Sequence, residues 1–534
     1  MEHSQSIEEI LGRRLLLGEV IARNSRLFPN REAVVYGQKR FTYRQFNARI
    51  NQLAHALLAL NIKKGSKVAI LLYNCNEFLE AYFALAKIGA VGVPLNFRLG
   101  VEEIKYIVNH SDAEAFILGE AFVQNVKGIQ KDLPKVKTYI SVSEKPVEGM
   151  LHFESSIANY PDSEPLILVE EDDPAFIMYT AGTTGRPKGA VLSHKNEIVH
   201  WMLMGMFLRS EPGIAEVMDL ADSFKTFAAP PIFHLAAWAF CQVVLFTGAT
   251  VVLPTEVFNP EYIMRTIEEE RINAILLVPV MTFFILLLPD LHKYDTSSLN
   301  LWISGAAILP TETRKQIKQH FPNAKLFDLF GQTEMSPVTC GLRPCDAAGH
   351  EGSVGKPVPF IEVRIVDDKD NDVPAGEVGE AVYRGPTVMQ EYYRDPEATA
   401  NAMRHGWFHS TDLFRFDKDG FLYVVDRKKD MIISGGENIY PAEVEEIIYR
   451  HSKVVECAVI GVHDEQWGES VKAIVVCKKG ECATEQEIID HCKSHLASYK
   501  KPKSVDFVDA LPRNAAGKVL KTELRKKYGK SVKY

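Results

Sequence analysis

The sequence predicts an α/β fold: a large N-terminal domain of layered α/β subdomains with a small β unit, then a small α+β C-terminal domain. Three observations carry this. Apolar strand-length runs alternate with helically spaced segments through the first part of the chain. After about residue 350 the texture changes to short strands parted by Asp, Asn and Gly turns. The charged run Asp426-Arg427-Lys428-Lys429-Asp430, with a glycine pair just beyond it, then separates the last part of the chain. A length of 534 residues exceeds what one hydrophobic core holds. The expected domains are residues 1–427 and 428–534.

In chain order, residues 67–72 (Lys-Val-Ala-Ile-Leu-Leu) read as a buried strand, and residues 77–88 carry Phe78, Tyr82, Leu85 and Ile88 at helical spacing. Residues 115–118 and 250–253 are further strands. The longest apolar run, residues 274–288, is broken by Pro279 and falls short of the ~20 residues a membrane-spanning helix needs. It reads as a strand followed by a short helix. Residues 362–366, 379–383 and 420–424 are the short strands of the β unit. The C-terminal part alternates helix (residues 441–448) and strand (454–460, 471–477).

Composition is that of an ordinary globular protein, 46% apolar and 24% charged. The net charge of −8, with both signs interspersed, gives no footprint for nucleic acid. Eight scattered cysteines form no Cys-x-x-Cys pair, so reduced thiols in a cytoplasmic protein are expected. No secretory core or transmembrane segment is expected; peripheral membrane contact and a homodimer stay open.

The most informative run is Tyr179-Thr180-Ala181-Gly182-Thr183-Thr184-Gly185-Arg186-Pro187-Lys188-Gly189. Glycines let backbone N–H groups approach a polyphosphate, threonine hydroxyls add donors, and Lys188 adds charge. It is not a Walker loop, because Pro187 precedes the lysine and Gly189 follows it. A mobile loop with no ligand has the same composition. Phe330-Gly331-Gln332-Thr333-Glu334 sets a carboxylate at a strand end, a candidate Mg²⁺ ligand if a triphosphate is near and a solvated acid otherwise. Asp412 and Arg427 stand where they could hold ribose hydroxyls, and Lys518 stands in a Gly-containing loop near the C-terminus.

Taken together and in this order, these segments resemble the adenylate-forming superfamily of acyl-CoA synthetases, luciferases and peptide-synthetase adenylation domains, over almost the whole chain. The superfamily pattern Thr-Ser-Gly-Thr-Thr-Gly-x-Pro-Lys-Gly differs here only at Ala181. Ser304-Gly305-Ala306-Ala307 is similar to its adenine-contacting strand end, with Ile308 where proline is usual. Gly331 to Glu334 matches the adenine and metal motif, Asp426 to Lys429 the ribose and hinge motif, and Gly517-Lys518 the mobile catalytic loop. Ser410-Thr411-Asp412 departs from the usual Thr-Gly-Asp, which puts rate or nucleotide affinity in doubt while retaining Asp412. Ser434-Gly435-Gly436-Glu437 looks like the loop of CoA ligases, where paired glycines would let pantetheine pass. His234, in Pro230-Pro231-Ile232-Phe233-His234, is similar to the histidine beside the acyl carboxylate. Trp238 resembles the gate tryptophan of some fatty-acid members, with a core tryptophan as the alternative.

The resemblance implies ATP, Mg²⁺ and CoA as cofactors. It implies a two-step reaction: an acyl-adenylate forms with loss of pyrophosphate, then the CoA thiol displaces AMP. Lys518, Glu334, Thr183, Lys188 and His234 would be catalytic. Thr180, Gly182, Thr184, Gly185, Gly305, Ala306, Phe330, Gly331, Gln332, Thr333, Asp412, Arg427, Lys429, Gly435 and Gly436 would bind nucleotide or CoA. With residues 278–288 lining the acyl pocket, a medium- or long-chain fatty acid is the expected substrate. An aryl-CoA ligase of coumarate or benzoate type is the alternative, and a non-catalytic acyl- or nucleotide-binding protein a further one.

Overall fold

The computed structural model describes residues 6–180, 186–219, 224–307, 309–428, 430–435, 437–478, 480–513 and 519–529. Two large sheets and their helices build the N-terminal domain. The first has eight strands, in the order Glu391–Tyr392, Lys188–Ser193, Pro174–Thr180, Val91–Pro94, Lys67–Leu71, Ala113–Gly119, Thr138–Val142 and Leu151–His152. Pro174–Thr180 (β1) and Lys188–Ser193 (β2) form an antiparallel hairpin, Glu391–Tyr392 pairs antiparallel with β2 at the edge, and the remaining pairings are parallel. Val68, Ala69 and Ile70 are buried on both faces, as the unbroken apolar run requires of a central parallel strand.

Helix α1 (His194–Arg209) leaves β2 directly. Ser193 caps it: its hydroxyl accepts from Asn196 N at 3.1 Å while Asn196 Oδ1 accepts from Ser193 N at 3.0 Å. Helix α2 (Leu235–Thr247) carries no charged residue and is buried on nearly every side. His234 caps its start, accepting from Ala236 N at 3.3 Å, and Gly248 ends it in the left-handed conformation at φ 81°.

The second sheet has nine strands, in the order Lys356–Pro357, Val338–Leu342, Lys325–Gly331, Leu301–Gly305, Ala274–Leu277, Lys225–Ala228, Thr250–Leu253, Glu32–Tyr36 and Lys39–Thr42. Within it Leu301–Gly305 (β3) and Lys325–Gly331 (β4) are neighbours, parallel and in register from Leu301 opposite Lys325 to Gly305 opposite Leu329. One continuous core joins the two sheets through α1 and α2.

A five-stranded antiparallel sheet follows, holding Trp407–Phe416 (β5) and Leu422–Arg427 (β6). The C-terminal domain has its own sheet of Ile432–Ser434, Glu437–Ile439, Val454–Asp464, Gly468–Cys477 and Ser504–Phe507, antiparallel except for the last strand. Helix α3 (Pro441–Tyr449) packs on this sheet over a core that contains Ile439, Val444, Val459 and Val475. The strands expected from sequence near residues 67, 115, 250, 274, 362, 379, 454 and 471 are all present. All eight cysteines are free, and among the described residues no helix is long and apolar enough to cross a membrane.

Candidate active site

The β1–β2 hairpin sets Thr180 directly opposite Lys188. Glycine-rich loop residues Gly182, Thr183, Thr184 and Gly185 lie outside the described residues, but the two ends that hold the loop are fixed. Strand Glu391–Tyr392 pairs with β2, and the Lys188 ammonium lies 5.1 Å from the centre of the Tyr392 ring. The Tyr392 hydroxyl donates to Glu334 Oε1 at 2.9 Å, and Thr180 Oγ1 donates to the same oxygen at 3.4 Å. Burial, reinforced by the Glu334 charge, pushes the Tyr392 phenol well above its ordinary range, so it stays a neutral donor. Met389 N donates to the Glu334 carbonyl at 2.8 Å and fixes the backbone beneath the carboxylate. Three distant segments thus meet at one carboxylate. Tyr392 belongs to none of the motifs above; an aromatic opposite the loop lysine is legible only from strand pairing.

The end of β4 forms the next wall. A Cβ on Gly331 would lie 1.8 Å from the Pro337 carbonyl oxygen, so only glycine lets the chain double back here. This close approach turns Gln332 outward, and its Nε2 donates to Asp412 Oδ2 at 2.6 Å. Arg427 Nε stands 3.3 Å from Asp412 Oδ1, and the two residues are cross-strand partners in the β5–β6 register. Asp412 is buried and Arg427 exposed, so the pair presents a cationic group at the rim over an anchored carboxylate. The Phe330 ring packs edge-on against Phe414 at 5.0 Å. Gly305 and Ala306, at the end of β3, lie beside Phe330, Gly331, Gln332 and Thr333 on the wall of one cavity.

That cavity, about 120 Å³, runs from these residues and His234 down between α1 and α2. Its apolar wall includes Met204, Leu208, Ala239, Phe240, Val243 and Ile303, with His200 among them. Trp238 is not on this wall. It is fully buried in the core on the other face of α2, against Tyr82 (4.1 Å), Phe83 (5.4 Å) and Phe176 (5.7 Å) between ring centres. The gate expectation is therefore replaced by the core alternative. Residues 278–288 are also corrected: helix Pro279–Leu286 turns Met281 and Ile285 into a separate core and leaves Phe284 and Leu287 exposed, away from the cavity.

At the domain junction, Asp426 Oδ2 accepts from Ala442 N at the start of α3, at 3.0 Å. Gly435 adopts φ 60° and its N–H donates to the Trp467 carbonyl at 2.7 Å. A Cβ there would meet the Trp467 ring at 2.6 Å. Lys429, Gly436 and Lys518 lie outside the described residues.

Comparison with known proteins identifies the family of this chain. Residues 21–393 match the AMP-binding enzyme family and residues 443–518 the AMP-binding enzyme C-terminal domain. The chain belongs to the AMP-binding enzyme family, within the adenylate-forming superfamily, and is an AMP-forming acid–CoA ligase. A feruloyl-CoA synthase of an Amycolatopsis species is 38% identical over 515 residues, covering 96% of this chain and 99% of that protein. The long-chain-fatty-acid–CoA ligase FadD13 of Mycobacterium tuberculosis is 35% identical over 520 residues, covering 97% and 99%. Among solved structures, the anthranilate CoA ligase AuaEII in complex with anthranoyl-AMP superposes with a TM-score of 0.89 at 28% identity, covering 96% and 97%.

Proposed function

We propose that this ligase converts an aromatic carboxylic acid to its CoA thioester, in place of the medium- or long-chain fatty acid expected from sequence. The observation that carries this is the cavity, about 120 Å³ in volume. An apolar cavity of about 150 Å³ takes up benzene; part of this one lies at the Gly305 and Phe330 end taken for adenine, so the space left for the acid suits one ring rather than a long extended chain. The likeness to a feruloyl-CoA synthase supports the same reading. A fatty acid is the second reading, favoured by the methionine and leucine walls and the likeness to FadD13.

In the first half-reaction a carboxylate oxygen attacks the α-phosphorus of ATP and pyrophosphate leaves. Two anions must meet, so catalysis rests on positive charge and positioning. Lys188, with Thr180 and the loop donors Gly182, Thr183, Thr184 and Gly185, would cradle the β- and γ-phosphates. Glu334 fits a magnesium site: its two hydrogen bonds fall on Oε1, and this ion takes one or two carboxylates beside phosphate oxygens. Bound there, Mg²⁺ would neutralise charge on the leaving pyrophosphate. Gly305, Ala306, Phe330, Gly331 and Thr333 would hold adenine, and Gln332, Asp412 and Arg427 the ribose hydroxyls. Lys518 would meet the α-phosphate and His234 the acyl carboxylate. In the second half-reaction the CoA thiol, threaded past Gly435 and Gly436, attacks the acyl carbonyl; its proton is lost and AMP leaves. The domain boundary is taken at residues 427 and 428, with Lys429 as the hinge.

The test is a panel of ferulate, para-coumarate, indoleacetate, decanoate and palmitate with ATP, Mg²⁺ and CoA, scored by AMP formation. Aromatic acids should give the highest kcat/KM. A panel led by decanoate or palmitate would promote the fatty-acid reading.

A further inference from the structure

We propose that His200 is a specificity-determining residue whose imidazole hydrogen-bonds a hydroxyl carried by the substrate acid at the end remote from its carboxylate. This rests on the aromatic-acid reading above and adds what the acid must carry. His200 lies on α1, is 2% exposed, and forms part of the cavity wall. Neither of its ring nitrogens has a hydrogen-bond partner among the described residues. Leaving a buried donor and acceptor unsatisfied is costly, and native proteins rarely do so without a functional reason. A ring on a cavity wall can find its missing partner in whatever fills the cavity.

Its neighbours fix the depth. Trp201, the next residue, donates from Nε1 to Gln242 Oε1 at 2.7 Å, which sets the level of α1 against α2. Gln242 is eight residues beyond His234, about 12 Å along the helix at 1.5 Å per residue. His200 therefore stands roughly two helical turns below the histidine at the carboxylate end. Met204, Ala239 and Val243, which share the cavity wall with it, are apolar. Thr226 and Thr247, the other polar side chains deep on this wall, already donate to the Thr250 carbonyl at 3.3 Å and the Val244 carbonyl at 2.8 Å. Among the described residues the imidazole is thus the polar group deep on this wall whose hydrogen bonds are unmet, the arrangement by which a pocket fixes a ligand's orientation.

The chemistry narrows the partner. Burial pushes the His200 pKa down to about 3, so the ring is neutral at working pH. A neutral imidazole offers one donor and one acceptor, which matches a hydroxyl; a second carboxylate would call for a cation.

The experiment measures kcat/KM for two matched pairs, para-coumarate against cinnamate and ω-hydroxydecanoate against decanoate, in the full-length enzyme. The parent should favour para-coumarate over cinnamate on the order of ten- to hundredfold. In His200→Leu that ratio should collapse to near one, mainly through KM for the hydroxylated acid, whereas His200→Gln should keep part of it. A parent ratio near one, or a His200→Leu ratio equal to the parent's, overturns the proposal. If His200→Leu does not fold, unaltered selectivity in His200→Ala or His200→Phe overturns it equally. The aliphatic pair separates the two readings. Decanoate outperforming the aromatic acids while His200→Leu erases an ω-hydroxyl preference would remove the aromatic reading and leave His200 in its role. Aromatic acids leading with selectivity insensitive to His200 would do the reverse.

Discussion

Thr411 holds φ 61° in the interior of β5, with its N–H donating to Glu380 Oε1 at 3.0 Å and its carbonyl accepting from Lys428 N at 3.0 Å. A left-handed backbone is uncommon for any residue but glycine and a true outlier for a β-branched one. Here the conformation is imposed from both sides, by the buried acid and by the start of the domain junction. The Thr-Gly-Asp pattern that this segment resembles has glycine at this position, which the left-handed backbone favours. The threonine does not straighten the backbone, so Asp412 keeps its bonds to Gln332 and Arg427; the departure is met by strain. Such strain is about 1–3 kcal/mol, against which glycine costs about 0.4–1 kcal/mol of unfolded-chain entropy. Because the Thr411 side chain is exposed, Thr411→Gly opens no cavity. It should stabilise the protein by about 1 kcal/mol net, seen as a higher Tm, with KM for ATP no greater than the parent's. A lower Tm would mean that the threonine side chain makes contacts worth more than the strain it causes.

Among elements, α1 and α2 bear most on function and were the hardest to interpret from sequence. The central strands were legible because parallel strands buried on both faces are written as unbroken apolar runs; residues 67–72 and 274–278 are examples. A helix buried all round carries no such sign of which face looks where. On α2, Trp238 faces the core and Ala239 and Phe240 the cavity, though all three are apolar neighbours. On α1 the same concealment holds for Glu197, which is fully buried. Gln242 and Ser336 lie beside it, yet neither carboxylate oxygen has a hydrogen bond of full geometry among the described residues. Burial pushes its pKa up to about 8, with Gln242 and Ser336 pulling the other way.

The folded protein therefore keeps a proton on Glu197 that the unfolded chain releases near 4.5, the model-compound value. Between these limits the folded state binds one proton more, so stability falls by about 1.4 kcal/mol for each unit of rising pH. It is fully present below the lower limit and lost once pH passes the upper. Glutamine copies the neutral acid and does not titrate. Glu197→Gln should match the parent in Tm near pH 5 and exceed it progressively towards pH 8. A Tm difference that does not change with pH would mean the carboxyl is ionised in the folded protein.

At the scale of the whole molecule, the chain divides into a domain that holds the nucleotide site and a smaller one with its own sheet and core. The junction carries polar links. Asp426 reaches across to Ala442 N, and Lys428, just past the boundary, pairs with Asp368 at 2.7 Å. Polar links of this kind can be exchanged for others without unpacking either core, which suits a swivel. Lys429 and Lys518 are legible only through motif resemblance, because a lone lysine in a sequence has no physical mark of its own. If the small domain turns between half-reactions, Lys518 serves only the first. Removing a cation that stabilises developing charge commonly slows a step by ~10²–10³. Lys518→Ala should therefore lose pyrophosphate release by that factor, yet convert a supplied acyl-adenylate to thioester at a near-normal rate. Lys429→Pro, which fixes φ at the hinge, should spare adenylate formation and slow thioester formation. Single-turnover measurement of each half separates these outcomes. Equal slowing of both halves in Lys518→Ala would rule out alternation in this enzyme and leave Lys518 with a structural role.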